Sequence, residues 1–287
     1  MIRIFSRLPV PEFGRWRLES SPTQRHWRNV TTDGHGARSL TLILSGYKPY
    51  LPTSEGVTLS AFYVASNALN ARYGKQALSL PLKSLIAGYG IGTYTRCGLT
   101  ATSDFGTRFA CEVIASDDEP DESYEWDEYR PINALCGSCG ACMRACPVNA
   151  MDMNGRVDVE KCLRAQAQYN DVPFPDESRN LIGASIWGCD ICMDACPLNG
   201  GAVPERMPDE LESALNLRRL LTGDVKPLGE WIGTNYARKA RMASRAAMVA
   251  ANLKKKEFVP EIKELLSSDQ DFVRAAARWA LEKLNAE

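Results

Sequence analysis

Apolar positions fall into a few distinct patterns along the chain. Ser39 to Tyr47, S-L-T-L-I-L-S-G-Y, is a short apolar run of strand length. Residues 58–77 are alanine-rich, with Phe62, Ala65, Ala68 and Leu69 at helical spacing. After Pro81 a glycine-punctuated segment, A-G-Y-G-I-G-T-Y-T-R-C-G, leads into Phe105 to Ala115, which alternates as a strand does. Strand, helix and strand together read as a small α/β unit. From about residue 210 the pattern becomes helical. Val259, Ile262, Leu265 and Leu266 stripe one helix; Val273, Ala276, Ala277, Ala280, Leu281 and Leu284 stripe a second, with a break at Ser267–Asp271.

Charge divides the chain further, although the formal net charge of 287 residues is only −1. Residues 1–38 hold seven Arg against three acids, together with His26 and His35, and read as an irregular arm on the surface. Asp117 to Arg130 holds eight acids in fourteen positions and reads as a solvated linker ahead of a new domain. Asn235 to Lys256 holds seven basic residues and no acid. Arg238, Lys239, Arg241, Arg245 and Lys254 to Lys256 would form a solvated face or a grip on RNA phosphates. No run of about 18 apolar residues is present and the first residues lack a signal-peptide pattern, so the expected location is the cytoplasm, with no membrane partner.

Ten cysteines in such a chain point to metal rather than to disulfides, and eight of them lie between Cys136 and Cys196. Cys136 to Pro147 reads C-G-S-C-G-A-C-M-R-A-C-P; Cys189 to Pro197 reads C-D-I-C-M-D-A-C-P, one cysteine short. The tight C-x2-C-x2-C loop wraps three thiolates round one iron–sulfur cluster, and the Cys before Pro ligates the other. Cluster 1 then takes Cys136, Cys139, Cys142 and Cys196. Cluster 2 takes Cys146, Cys189 and Cys192 and needs a fourth ligand. Cys97, Cys111 and Cys162 remain, and only Cys162 lies between the motifs. A loop of that span closes at small entropic cost, so Cys162 is the expected ligand. Zinc is the alternative, since C-x2-C pairs also bind it; the repeated spacing and the absence of His favour two 4Fe-4S clusters. Leu135, Ala141, Ala145, Val148, Ile191, Ala195 and Leu198 would shield them.

These paired motifs with a lone Cys between them resemble the double-cluster module of epoxyqueuosine reductases and of the related reductive dehalogenases. Ala37 to Tyr47 resembles the family's opening strand, and Leu80 to Gly92 with Phe105 to Asp117 resembles strands of its corrinoid domain. The D-x-D-x-V-R-x-A-A-x-W-A-L wording near the C-terminus resembles a HEAT-type repeat. The resemblance implies an α+β protein in three parts. Residues 1–125 would form a shortened corrinoid-type α/β domain, 126–212 a ferredoxin-like module with two 4Fe-4S clusters, and 213–287 a helical HEAT-like cap. It also implies cobalamin in the first domain, reduced one electron at a time through the clusters, and tRNA as a substrate class.

The chain departs from the family in Ala77 to Lys83, A-L-S-L-P-L-K, which lacks the acid expected ahead of the proline. Gly92, Tyr94, Arg96 and Cys97 are the expected corrinoid-pocket residues. Gly88 to Gly92 reads as a turn lining that pocket rather than a nucleotide loop, and Cys111 as core. Catalytic residues are not legible at this level. Three functions compete: a corrinoid-dependent or corrinoid-reducing reductase, a tRNA epoxyqueuosine reductase, and an electron carrier without corrinoid. Each needs an external donor of ferredoxin or flavodoxin type; a corrinoid protein is a further possible partner.

Overall fold

The computed structural model describes residues 1–11, 38–74, 80–127, 132–168 and 172–285. His26, His35 and most of the arginine-rich segment lie outside the described residues, as does the stretch 75–79. Ile2–Pro9 is not part of an irregular arm. It forms strand β1, the edge of an antiparallel sheet with β2 (Ser39–Gly46) at its centre. The β1–β2 register shifts between Phe5 and Leu8, where Arg7 takes a φ of 61°. Such a bulge inserts a residue and bends an edge strand.

A two-residue strand β3 (Thr58–Leu59) leads into α1 (Ala61–Tyr73), followed by α2 (Leu82–Gly88) and the short strands β4 (Thr93–Tyr94) and β5 (Thr100–Ala101). β6 (Phe109–Ser116) completes the sheet, so the expected α/β unit is an antiparallel sheet in the order β1-β2-β6. Both faces of β2 are covered, which is why it reads as an unbroken apolar run. Leu40, Leu42 and Leu44 pack with Leu85, Ile86 and Tyr89 around α2. Ile43, on the opposite face, packs with Leu69 and Phe62 of α1. Of the expected α1 stripe, Ala68 is exposed, while Tyr63 is buried in a different core.

The acidic stretch is more than a linker. Tyr124 and Trp126 stack edge-on against Tyr89, with ring centroids 6.4 and 5.0 Å apart. Gly88 and Gly92 are packed rather than pocket-lining: a Cβ on Gly88 would meet Trp126 at 2.4 Å, and one on Gly92 would meet the Ala101 carbonyl at 2.5 Å.

The cysteine-rich part holds the short helices α3 (Cys136–Cys139), α4 (Ala141–Ala145), α5 (Leu163–Gln166) and α6 (Asp176–Leu181), then β7 (Ser185–Trp187) and α7 (Ile191–Asp194). α8 (Asp209–Ala214), α9 (Leu217–Thr222), α10 (Lys226–Ile232), α11 (Lys239–Asn252), α12 (Val259–Glu264) and α13 (Asp271–Asn285) follow. The break before α13 stands where the pattern put it. Leu266 is half-exposed rather than part of the buried stripe. α11 is a central helix, buried from Met242 to Ala251. Its basic character is therefore not a uniformly solvated face. Arg245 is 3% exposed with its guanidinium 4.2 Å over Phe174, and Arg241 stacks on Trp187, whereas Arg238 and Lys239 are exposed.

One continuous core draws from all three stretches of sequence: Val57, Leu59 and Tyr63; Leu163, Ile186 and Trp187; and the helices from α8 to α13. β3 pairs in parallel with β7, which joins the N-terminal part to the cysteine module by backbone hydrogen bonds. No helix among the described residues is long and apolar enough to cross a membrane.

Candidate metal centres and the adjoining cavity

Both cysteine motifs fold into single helical turns that end in an extended residue before proline. Cys136–Cys139 is one turn, Gly140 reverses the chain at φ 60°, and α4 ends at Cys146 with φ −69° and ψ 114°. Arg144 Nη1 donates to the Cys139 carbonyl at 2.8 Å across the reversal. The second motif repeats the shape: α7 ends before Cys196, at φ −79° and ψ 121°. A residue before proline is driven out of the helical region. The last Cys of each motif therefore leaves its own helical turn. α4 and α7 pack against each other, so each departing Cys reaches the other motif.

Cys136, Cys139, Cys142 and Cys196 line one cavity of about 220 Å³, with Leu135, Pro197 and Leu198. Cys146, Cys162, Cys189 and Cys192 line a second, of about 270 Å³, with Val148, Met151, Val157 and Ile191. Cys162, extended at the start of α5, closes the second quartet. Among the described residues no three His, Cys, Asp or Glu converge closely enough to hold a single ion. The thiols instead ring open volumes, which suits an inorganic core larger than one zinc ion. Burial pushes the thiols of Cys142 and Cys189 up to about 11. Loading a metal must therefore expel protons that the free thiols hold tightly.

A larger cavity of about 690 Å³ adjoins the second quartet. Tyr47, Phe62, Leu82, Ile86, Tyr94, Phe109 and Met193 contribute to its walls, with Glu112 at one side. Lys83, Leu99, Arg164 and Gln168 line this cavity and the second cysteine cavity alike, so they form the partition between them. Lys83 Nζ donates to the Gly98 carbonyl at 2.6 Å, and the low-dielectric surroundings of this ammonium lower its pKa. Arg164 lies 4.5 Å over the Phe62 ring and pairs with Asp190 at 3.3 Å. Ser60 Oγ donates to the same carboxylate at 2.7 Å. Burial raises the Asp190 pKa although both partners favour its charge. Glu112 is raised by burial as well.

Gly92, Tyr94, Arg96 and Cys97 do not share a pocket. Tyr94 lines the large cavity, its hydroxyl 3.0 Å from Ser84 Oγ, and Gly92 packs on β5. The turn from Thr95 to Gly98, with Gly98 at φ 73°, directs Arg96 and Cys97 toward the cysteine cavities. Arg96 donates to the Gly137 carbonyl at 3.3 Å. Cys111 is half-buried, and burial raises its thiol pKa. Lys83, Arg164, Gln168 and Asp190 carry no motif of their own. Their only sequence signal is that Arg164 and Asp190 follow closely on Cys162 and Cys189.

Residues 135–199 match the model of a 4Fe-4S double cluster binding domain. The epoxyqueuosine reductase of Bacillus subtilis is 30% identical over 205 residues, which are 68% of this chain and 51% of that protein. That of Lactococcus garvieae is 29% identical over 215 residues, 70% of this chain and 58% of that one. The chain thus spans about half the length of the curated relatives it matches. A solved Bacillus subtilis epoxyqueuosine reductase, with its catalytic loop swung out of the active site, superposes at a TM-score of 0.68 and 22% identity, covering 99% of this chain and 86% of that one. An epoxyqueuosine reductase bound to a modified tRNA stem loop superposes at 0.70, with 20% identity and the same coverage. The matched double-cluster domain coincides with the two ringed cavities, and the likeness extends from there through the sheet and the C-terminal helices: the chain belongs to the epoxyqueuosine reductase-like family of two-cluster iron–sulfur proteins.

Proposed function

We propose that the chain is a reductase of the epoxyqueuosine type, acting on a modified base of tRNA with electrons delivered through its two clusters. The observation that carries this reading is the order of the three cavities. Cys136, Cys139, Cys142 and Cys196 would hold cluster 1, near the exposed Leu135 and the open Gly137. Cys146, Cys162, Cys189 and Cys192 would hold cluster 2, separated from the large cavity by four side chains. An external donor of ferredoxin or flavodoxin type would reduce cluster 1, and cluster 2 would pass single electrons into the large cavity. Converting an epoxide to an alkene consumes two electrons and two protons and releases water, so two one-electron deliveries complete one turnover.

A corrinoid fits the large cavity in its chemistry: the walls are mostly apolar, and Lys83, Leu99, Arg164 and Gln168 line it together with the cavity proposed for cluster 2. Tyr47, Phe62, Ile86, Tyr94 and Phe109 would hold such a group, which supplies a cobalt centre that accepts electrons singly. The chain's own side chains have separate work. Arg164, locked by Asp190 and by stacking on Phe62, keeps a positive charge at the partition and favours the arrival of electrons. Lys83 places an ammonium with a weakened hold on its proton at the same wall. An epoxyqueuosine reductase solved with a modified tRNA stem loop shares the fold, which favours the tRNA reading over one centred on corrinoid reduction alone.

The test is conversion of an epoxyqueuosine-bearing tRNA stem loop by anaerobically reconstituted protein, with and without added cobalamin. Loss of one oxygen from the base, read by mass spectrometry, is the expected result. No conversion by protein with full iron content would leave the electron-carrier reading, which the missing acid in Ala77 to Lys83 favours.

A further inference from the structure

Arg96 is 7% exposed, and among the described residues its Nε has no hydrogen-bond partner. Its neighbours in the chain are tied to the first cysteine turn. Asn133 N donates to the Tyr94 carbonyl at 2.7 Å, and Asn133 Nδ2 donates to Thr93 Oγ1 at 2.8 Å. The Asn133 carbonyl in turn accepts from Cys136 N at 2.8 Å. Arg96 Nη2 adds a direct bond to the carbonyl of Gly137, between Cys136 and Cys139. The side chain therefore stands in the wall of the first cysteine cavity, held by contacts that involve no thiol.

This placement leaves a charge unbalanced. No carboxylate lines the cavity among the described residues, and no carboxylate among them pairs with Arg96. A buried cation without a partner is costly, and an arginine does not escape the cost by neutralising as a lysine does. Two other arginines near the cysteines are compensated. Arg164 is paired with Asp190, and Arg144 is exposed, where water and salt screen it. Arg96 instead faces the first quartet, and four thiolates around an iron–sulfur core are an anion whose charge grows on reduction.

We propose that Arg96 is the counter-cation of cluster 1 and raises that cluster's reduction potential. The inference rests on the ligand sets proposed above. A fixed positive charge beside the cluster favours its more negative, reduced form, and burial strengthens the effect by excluding water. Arg96 thereby assists the entry of each electron from the external one-electron donor. No bond forms or breaks in that transfer, and Arg96 keeps its proton throughout.

EPR-monitored redox titration of the reconstituted full chain tests this, on wild type, Arg96→Met and Arg96→Lys. Cys136→Ser alters the signal of cluster 1 and so assigns the two midpoints. Arg96→Met keeps the apolar stem without the charge. It should lower the cluster 1 midpoint by a tenfold change in the reduction equilibrium, about 59 mV for one electron, and leave cluster 2 in place. Arg96→Lys keeps a cation and should recover most of that shift. The gap between wild type and Arg96→Met should persist at about 1 M salt, where surface charges are screened within about 3 Å. Equal midpoints in wild type and Arg96→Met at full iron content would overturn the proposal, as would equal shifts in the Met and Lys variants, a shift shared by both clusters, or a gap that closes with salt. Loss of half the iron in Arg96→Met alone would support the counter-cation role; the same loss in Arg96→Lys would overturn it, by making Arg96 a structural support. Wrong ligand sets show up separately, as Cys136→Ser and Cys196→Ser altering different signals, and would take this proposal down with them.

Discussion

Gly188 stands immediately before Cys189 and lies against Ser60 and Tyr63 at the start of α1. Its φ is 84°, and an added Cβ would lie 2.5 Å from Ser60 Cβ and 2.8 Å from Tyr63 Cε2. Both neighbours are buried, Ser60 bonded to Asp190 and Tyr63 to Gln168, so neither can retreat cheaply. Gly188→Ala therefore carries two costs: about 1–2 kcal/mol for a left-handed alanine, and about 1–3 kcal/mol for overpacking. Gly183 provides the control five residues earlier. Its φ is 56° with nothing within 4 Å of the added Cβ, so Gly183→Ala carries only the first cost. Urea unfolding of the iron-loaded proteins under anaerobic conditions should rank Gly188→Ala below Gly183→Ala by about 1–3 kcal/mol. Iron content should fall only in Gly188→Ala, because the shift is passed directly to Cys189. Equal stabilities would refute the argument, since the close approach of the two backbones would then cost nothing.

Three other outcomes follow from the same geometry. Cys162→Ala should drop iron from about eight to about four per chain and halve the charge-transfer absorption, whereas Cys111→Ala should keep both; retained iron in Cys162→Ala would remove it from the ligand set. Arg164→Met should destabilise the protein by about 3–5 kcal/mol, because it strands the buried Asp190 carboxylate, and adding Asp190→Asn should recover most of that in thermal unfolding. Glu112 has its pKa raised by burial, so the protein forfeits stability as pH rises above the unfolded-state value and the carboxylate ionises inside the fold. Glu112→Gln should melt higher than wild type at about pH 7 and match it at about pH 3, where the carboxyl is protonated in the folded and the unfolded chain alike; parallel melting curves at the two pH values would contradict the burial.

The cysteines were the most legible part of the site, because their chemistry depends on local spacing. Three thiolates on one short loop and a fourth thrown outward before proline are consequences of a few dihedral angles. Each of two cavities has four of these cysteines in its lining, and Cys162, which belongs to neither motif, was legible only by elimination. The pocket residues were less legible. Arg96 and Cys97 adjoin Tyr94 in sequence, yet a four-residue turn sends them toward the cysteine cavities while Tyr94 faces the large one. Charge was similarly ambiguous. The basic run that becomes α11 has Arg245 buried over Phe174, and the acidic run holds Tyr124 and Trp126 against Tyr89. Composition reports average polarity, whereas burial is set by whichever face another element covers.

By itself the amino-acid sequence determined that seven cysteines fall into two cluster-type motifs, that Ser39 to Tyr47 has the length of a strand and that the C-terminal part is helical. Each of these is written in spacings of two to four residues, the range over which backbone geometry alone dictates what can meet. Only the tertiary structure decided that β1 closes the sheet edge, that one core unites all three stretches, and that Lys83, Leu99, Arg164 and Gln168 stand between a cysteine cavity and a larger chamber. Those contacts join residues far apart in the chain. They exist because burying their apolar surface together outweighs the entropy of closing the loops between them.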